Sequence, residues 1–249
     1  MREFFLDENI GIPFTLFGKV HIGCILIVLT GLLLIYLMRN RIKNINKKYH
    51  KKIKYIMFAL LFSNMAIYYG SYIYYGVYNW KVHLPLHICF IAGILFMIYL
   101  LTGKRKMYKV IFPLTFIGPL PAIFYPDLSS SFDYFVFYQY FISHHLLMIF
   151  SYFILYMEDF KITYNDTIKT FILGNIIFIT MSIFNNLFNT NYIMSGGFPD
   201  FVTELYPLLN YIWPPIVLET LGIIVLLLIY GLIYIKNKDD KNDKLKTSI

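Results

Sequence analysis

Long runs of apolar residues, separated by short polar segments, occupy most of this chain. A helix of about 20 apolar residues crosses the hydrocarbon core of a bilayer, which is roughly 30 Å thick. Seven runs approach or exceed that length, so we predict transmembrane helices at residues 20–38, 55–75, 84–101, 110–124, 134–157, 168–188 and 211–235. The pattern therefore predicts an all-α fold, a polytopic bundle of seven transmembrane helices that makes residues 1–249 a single membrane domain.

The fourth run differs from the others because it is short and rich in proline. Pro113, Pro119 and Pro121 surround Gly118 within it. Proline removes a backbone N–H and clashes with the preceding turn of a helix, so we expect this helix to be kinked or partly unwound. Neighbouring helices would have to satisfy the freed carbonyls. Such an irregularity could shape a cavity.

The composition excludes a soluble domain of this size, since 58% of the 249 residues are apolar, 20% are aromatic and the mean hydropathy is +0.60. The net charge of +8 could indicate nucleic acid, but the basic residues lie in short blocks between the apolar runs. That placement is typical of membrane orientation, so we expect membrane lipids as partners and no nucleic acid. Cys24 and Cys89 both lie in apolar runs without metal-finger spacing, which disfavours a disulfide framework or a zinc module.

The distribution of Lys and Arg predicts the orientation of the bundle. Eight lie between the first and second runs, four between the third and fourth, and five after the last run, whereas the opposite side has only Arg2, Lys19 and Lys81. Basic loops stay in the cytoplasm, so the N-terminus is expected outside and residues 236–249 form a cytoplasmic tail. The abundance of Ile, Lys, Asn, Tyr and Phe suits an AT-rich bacterial genome. We therefore expect a multi-pass protein of a bacterial plasma membrane.

Polar and ionisable residues inside the apolar runs are the best indication of function, because burying them in lipid is costly. Most fall in the half of the predicted bundle that faces outward. They are His21 in the first run, His87 and Cys89 in the third, His144 and His145 in the fifth, Asn185 and Asn186 in the sixth, and Glu219 in the seventh. A polar cavity open to the outer face or the outer leaflet would account for them together.

Helical geometry predicts which of these side chains share a face. His87 and Cys89 are two residues apart and would point about 200° apart on a helix, so we expect them on different faces. His144 and His145 diverge by about 100°, so at most one should point into a common cavity. We favour His144, because Tyr140 and Ser151 lie at helical spacings from it.

A thiol beside an imidazole suggests covalent acyl transfer, because the imidazole can take the thiol proton and a thioester can carry an acyl group. Cys89 would be the nucleophile and His144 the base. Glu219 could orient the imidazole, and Asn186 or a backbone N–H could hold the oxyanion. Packing roles for Cys89 and hydrogen bonding between helices for the histidines remain alternatives. His21, His87, His144 and Glu219 could also bind zinc, but they lack local ligand spacing, so no metal and no cofactor are predicted.

Five short motifs, in order along the chain, resemble a known family. They are Phe17-Gly18-Lys19-Val20-His21, Leu84-Pro85-Leu86-His87-Ile88-Cys89, Ser143-His144-His145, Asn191-Tyr192-Ile193-Met194 and Tyr211-Ile212-Trp213. Their order and placement among seven apolar runs resemble the bacterial YwaF family of integral membrane proteins, which is related to animal transmembrane protein 164. The resemblance extends from about Phe17 to Ile235.

The resemblance implies lipid chemistry. The animal relative looks like a phospholipid acyltransferase that relies on a Cys and a His. The animal relative is also similar in fold to the androgen-induced membrane hydrolases, which use a Thr and a His on fatty esters. Carried over to this chain position by position, the resemblance implies that His144 is the catalytic histidine and Cys89 the nucleophile. If the family cysteine aligns with Leu86 instead, this chain lacks the thiol at that position, and His87 and His144 would have to act without it.

These arguments lead to one main hypothesis and two alternatives. The main hypothesis is a membrane-embedded acyltransferase or transacylase that acts on a phospholipid or another lipid acyl ester, with a hydrolase less favoured. Cys89 and His144 would be catalytic, and the residues that bind substrate or support the site would be His21, His87, His145, Asn186 and Glu219. One alternative is a transport or ligand-binding protein that uses the same cavity, and the other is a structural or regulatory membrane protein.

Overall fold

The described part of the chain in a computed structural model, residues 4–5, 12–198 and 200–246, consists of helices joined by short loops. Its one strand-like feature is an isolated bridge between Pro13 and Ser130. The helices are α1 (Lys19–Leu37), α2 (Arg39–Lys43), α3 (Lys47–Tyr74), α4 (Trp80–His83), α5 (Ile88–Thr102), α6 (Arg105–Ile117), α7 (Pro119–Phe124), α8 (Phe135–Met157), α9 (Tyr164–Phe188), α10 (Asp200–Leu205) and α11 (Pro214–Lys246), with 3-10 turns at Tyr192–Met194 and Pro207–Tyr211.

Six of these helical segments are long and apolar enough to cross a membrane, which confirms the prediction of an all-α, multi-pass membrane protein. They are α1, α3, the combined α6 and α7, α8, α9, and the part of α11 from Pro214 to Tyr234. The predicted third span corresponds to α5, which has only 15 residues. At 1.5 Å per residue α5 is roughly 22 Å long, shorter than a typical hydrocarbon core.

The predicted third span was wrong at its start, because residues 84–87 are not helical. His87 has an extended backbone, with φ −67° and ψ 147°, and directly precedes the first residue of α5. Proline disfavours a helical conformation in the residue before it, so Pro85 constrains Leu84, which has ψ 146°. Hydropathy could not detect this boundary, since Leu84, Pro85 and Leu86 continue the apolar run. The final helix, by contrast, continues past residue 235 to Lys246, and residues 247–249 of the predicted tail lie outside the described residues.

The proline-rich fourth run forms two helices that meet at Gly118, an interruption that the prolines predicted. Gly118 lies directly against the first turn of α5. A β-carbon added there would lie 2.8 Å from Cγ2 of Ile88 and 2.9 Å from the backbone nitrogen of Cys89. The absence of a side chain at Gly118 therefore allows the junction of α6 and α7 to hold the segment that carries Cys89.

Two polar regions define the ends of the bundle. At the basic end, Glu158 pairs with Lys54 at 2.7 Å and with Arg105 at 3.3 Å, which joins α3, α6 and the end of α8. The opposite end, here called the cavity end, comprises the loops 75–87, 125–134 and 189–213. There the Tyr192 hydroxyl donates to the carbonyl of Trp80 and accepts the Leu84 N–H. The candidate site residues His87 and Cys89 lie at or just after the end of the loop 75–87.

Between these ends the core is aromatic and contains few polar atoms. Tyr99 and Tyr108 are fully buried and pack with Phe160, whose ring centroid lies 4.2 Å from that of Tyr108. The Tyr108 hydroxyl donates to the carbonyl of Ser151 at 2.6 Å, and the Ser151 hydroxyl lies 2.7 Å from that of Thr115. These hydrogen bonds join α6 to α8 and support the helices that line the site.

Candidate functional site

An internal cavity of about 660 Å³ lies among α5, α6, α7, α8, α9 and α11. Its size is typical of ligand-binding pockets, which enclose roughly 300–1,000 Å³. Apolar residues form most of its wall. Ionisable and other polar residues also line it, and these include His83, His87, Cys89, Tyr140, Ser143, His144, Asn175 and Glu219. The cavity therefore brings together four of the seven residues proposed from the sequence: Cys89, His144, His87 and Glu219.

One ring nitrogen of His144 is hydrogen-bonded to the backbone, and the other has no hydrogen-bond partner among the described residues. Its Nδ1 donates to the carbonyl of Tyr140, four residues earlier on α8, at 2.6 Å. That partner assigns the proton to Nδ1 and leaves a lone pair on Nε2. Nε2 is buried and has no hydrogen-bond partner in the described part of the chain. Because an unpaired buried acceptor is costly, this nitrogen is prepared to accept a proton or a hydrogen bond from a bound molecule.

His145 occupies a different environment from its neighbour. Like His144 it is buried and its Nε2 has no hydrogen-bond partner in the described part of the chain, but its ring lies 5.8 Å from that of Phe141 and it is not part of the cavity wall. The step of about 100° per residue along α8 accounts for the divergence. The structure thus directs His144 into the cavity and places His145 in the packing between helices.

Cys89 is the second residue of α5, directly after the helix begins. The backbone N–H groups of Cys89 and Phe90 face its sulfur. In the first turn of a helix such groups have no carbonyl partner within the helix and stabilise negative charge. An oxyanion formed beside Cys89 would be stabilised by them.

The expectation that His87 and Cys89 lie on different faces was wrong, because both line the same cavity. The rule of about 100° per residue applies only within a helix, and His87 is the extended residue that caps α5. Its Nδ1 accepts the N–H of Ile193 at 3.3 Å, and its ring packs edge-on against Tyr192. His87 therefore connects the loop 189–213 to the segment that carries Cys89.

The sulfur of Cys89 and Nε2 of His144 share the cavity without a direct hydrogen bond between them in the described residues. They belong to neighbouring helices, α5 and α8, which are in contact. Catalytic hydrogen bonds in unliganded enzymes are often long and shorten when substrate binds. Cys89 and His144 therefore line one cavity from two neighbouring helices.

His21 and Asn186 do not join this site. His21 is fully buried, its Nδ1 accepts the N–H of Phe17 at 2.8 Å, and its Nε2 donates to the carbonyl of Ile123 at 2.8 Å. Both ring nitrogens thus stabilise the backbone. Asn186 is exposed and outside the cavity wall.

The preceding residue, Asn185, points inward. Its amide oxygen accepts the Tyr192 N–H, and its amide nitrogen donates to the carbonyl of Tyr192 and the hydroxyl of Ser195. Asn185 therefore anchors the loop 189–213, a role that the sequence left unassigned.

Glu219 lines the cavity from α11 and is paired with a residue that the sequence analysis missed. The Asn175 amide donates to Oε1 of Glu219 at 3.0 Å and joins α9 to α11. The signal available in the sequence was that Asn175 is one of three asparagines in the apolar run 168–188 and the one nearest its middle. Glu219 does not orient His144, whose Nδ1 is already bonded to the Tyr140 carbonyl.

His83, also missed, lies where the cavity meets the cavity end. Its Nδ1 accepts the N–H of Asn79 at 2.9 Å. Burial lowers the pKa of its imidazole below the ordinary value, since desolvation disfavours the charged ring.

The structure does not assemble the zinc set considered from the sequence. Among the described residues, no group of three or more His, Cys, Asp or Glu side chains is placed to hold a metal ion. The physical reason is clear for His21, whose two nitrogens are bonded to the backbone.

Comparison with known proteins supports the resemblance drawn from the five motifs. Searches among curated proteins and solved structures gave no match. The model of the TMEM164 family matches residues 16–230, a range that contains every residue of the cavity wall. The chain belongs to the TMEM164 family.

Proposed function

We propose that this protein is a membrane-embedded acyltransferase that moves an acyl group from a phospholipid or another lipid ester by way of Cys89. The observation that carries the proposal is the free, buried Nε2 of His144 on the wall of an apolar cavity that also contains the Cys89 thiol. A nucleophile, an oriented base and donors for an oxyanion are the parts that acyl transfer requires.

The first half of the reaction forms a thioester. The Cys89 thiol gives its proton to Nε2 of His144, and the sulfur bonds to the carbonyl carbon of the lipid ester. Charge on the carbonyl oxygen is stabilised by the N–H groups at the start of α5. The bond from the carbonyl carbon to the ester oxygen then breaks, and that oxygen takes the proton from Nε2.

The second half releases the acyl group. A hydroxyl or amine of the acceptor lipid attacks the thioester carbonyl and passes its proton to Nε2 of His144. The carbon–sulfur bond breaks, and the sulfur of Cys89 regains that proton. The carbonyl of Tyr140 holds the imidazole in the required tautomer throughout.

Access from the membrane supports a lipid substrate. Phe171 on α9 and Leu221 and Ile223 on α11 line the cavity and are 41%, 43% and 38% exposed, so part of its apolar wall is accessible. The cavity also opens at the cavity end beside Tyr125 and Tyr206, whose hydroxyls lie 3.0 Å apart. A lipid can therefore enter from the side while its polar part remains at the end. With the basic end in the cytoplasm of a bacterial cell, the cavity end faces outward.

A reconstituted transfer assay tests the proposal. The protein in lipid nanodiscs receives a labelled phospholipid donor and a lysolipid acceptor, and product is measured by mass spectrometry. Cys89→Ala and His144→Ala should each reduce transfer by about 10²-fold or more, the scale of losing a nucleophile or general base. Matched controls are Cys24→Ala and His145→Ala, which alter the same residue types outside the cavity. If Cys89→Ala and His144→Ala both transferred acyl groups at the wild-type rate, the proposal would be refuted.

A further inference from the structure

We propose that the inner part of the cavity is an acyl-chain site and that two glycines, Gly174 and Gly222, set the length of chain it accepts. This part, here called the acyl arm, is lined by Leu114, Leu147, Gly174, Gly222, Ile223 and Leu226. The inference rests on the proposed function, since it assigns the chain of the ester that Cys89 would attack.

The arm lies beyond the reactive groups, toward the basic end. Gly118 contacts the backbone of Cys89, and Leu114 lies one turn further along α6, about 6 Å away at 1.5 Å per residue. The terminal methyl Cδ2 of Leu114 is 4.0 Å from the β-carbon position at Gly174. On α8, Leu147 follows His144 by three residues. An ester carbonyl beside Cys89 would thus direct its alkyl chain into the arm.

The two glycines keep the arm open. A β-carbon added at Gly222 would meet no atom within 4 Å, and one added at Gly174 would meet only that Leu114 methyl. The situation at Gly118 is the opposite, because backbone atoms already fill the space there. Both arm glycines are in regular helices, so their backbones accept other residues. Glycine at these two positions therefore keeps space open in the cavity and is not required by the backbone conformation.

The polar groups in this region are hydrogen-bonded to the protein. The Asn175 amide donates to Glu219, and the Thr170 hydroxyl donates to the carbonyl of Val110 at 2.8 Å. An alkyl chain passing these groups breaks no hydrogen bond and leaves no new polar group unpaired. The wall offers the chain an apolar surface.

Selectivity in such an arm is steric. The lipid tails of the bilayer are as apolar as leucine, so moving a chain from the bilayer into the arm changes hydrophobic burial little. A chain that exceeds the available space must instead displace packed side chains, which is costly. In apolar pockets one methylene can change specificity by about tenfold or more. Filling the arm should consequently exclude long chains and spare short ones.

The test measures chain-length preference with competing donors. Gly222→Val and Gly222→Phe are compared with wild type in nanodiscs that contain medium-chain and long-chain phospholipids together. We expect the ratio of long-chain to medium-chain product to fall about tenfold for Phe, with a smaller change for Val. Gly231→Phe is the matched control, because Gly231 is on the same helix, exposed and outside the cavity. An unchanged ratio in both Gly222 variants would overturn the inference.

A second readout separates the inference from the proposed function. A phospholipid with a photoreactive diazirine at the end of its acyl chain is crosslinked to wild type and to Cys89→Ala, and the labelled peptides are identified. Crosslinks to the buried arm residues Leu114, Leu147 or Leu226 in both proteins support the acyl arm even if no transfer occurs. Transfer accompanied by crosslinks only elsewhere would refute the arm and leave the proposed function intact.

Discussion

Gly118→Ala tests whether the junction of α6 and α7 positions the nucleophile. The added methyl would lie 2.8 Å from Cγ2 of Ile88 and 2.9 Å and 3.1 Å from N and Cα of Cys89. A flexible side chain can move away, but the backbone of Cys89 can do so only if the first turn of α5 shifts. Gly118 has φ −77° and ψ −57°, so alanine itself fits the local backbone and the effect is one of space.

The magnitude follows from that crowding. Inserting a methyl into a filled site costs about 1–3 kcal/mol of stability. A displacement of about 1 Å at a reactive group can reduce the rate by about 10²-fold. We therefore expect Gly118→Ala to lower kcat for acyl transfer by about tenfold to a hundredfold, with a smaller change in KM. Transfer kinetics in nanodiscs and thermal unfolding in detergent measure the two effects.

Gly93→Ala provides the control on the same helix as Cys89. Its β-carbon would meet only Cδ2 of Leu147, at 3.9 Å, which is an ordinary contact. Alanine at Gly93 raises helix propensity by up to about 1 kcal/mol, whereas Gly118 lies between α6 and α7, so the steric contact is tested chiefly by the difference in kcat. If Gly118→Ala matched Gly93→Ala in both kcat and stability, the positioning role of Gly118 would be refuted.

Three further predictions concern the residues that hold the site. His21→Ala should destabilise the protein by about 2–4 kcal/mol, because the Phe17 N–H and the Ile123 carbonyl lose their side-chain partner. An unchanged free energy of unfolding at equilibrium would show that the ring is dispensable. Asn185→Ala should release the loop 189–213 and speed its cleavage by protease, whereas the exposed Asn186→Ala should not; equal cleavage rates would contradict the anchoring role. Glu158→Gln should lower stability by about 1–3 kcal/mol, since it removes the countercharge of the largely buried Lys54, and a wild-type melting temperature would exclude this contribution.

Geometry within a single helix accounts for the site predictions that agree with the structure. His144 and His145 differ by one residue on α8, so their divergence and the orientation of His144 follow from helical periodicity. The same periodicity applied to His87 and Cys89 led to an error, because His87 is extended. The angular rule is valid only after the helix boundary is known, and the apolar run obscured that boundary.

Contacts between distant segments were outside the reach of sequence analysis. Asn185 and Asn186 are equally polar, yet only Asn185 faces the loop that it anchors. Glu219 was identified, but its partner Asn175 lies 44 residues earlier on another helix. His21 has the polarity expected of a site residue, and only its two backbone partners show that it is structural.

The sequence by itself determined that this is an all-α, multi-pass membrane protein, where most of its helices lie, and which polar residues are unusual in lipid. These conclusions depend on hydropathy and periodicity, which are local properties of the chain. Only the tertiary structure decided that Cys89, His87, His144 and Glu219 share one cavity, that Gly118 abuts Cys89, and that His21 and Asn186 lie elsewhere. Those facts depend on how helices pack, and packing is set by contacts between residues far apart in the chain.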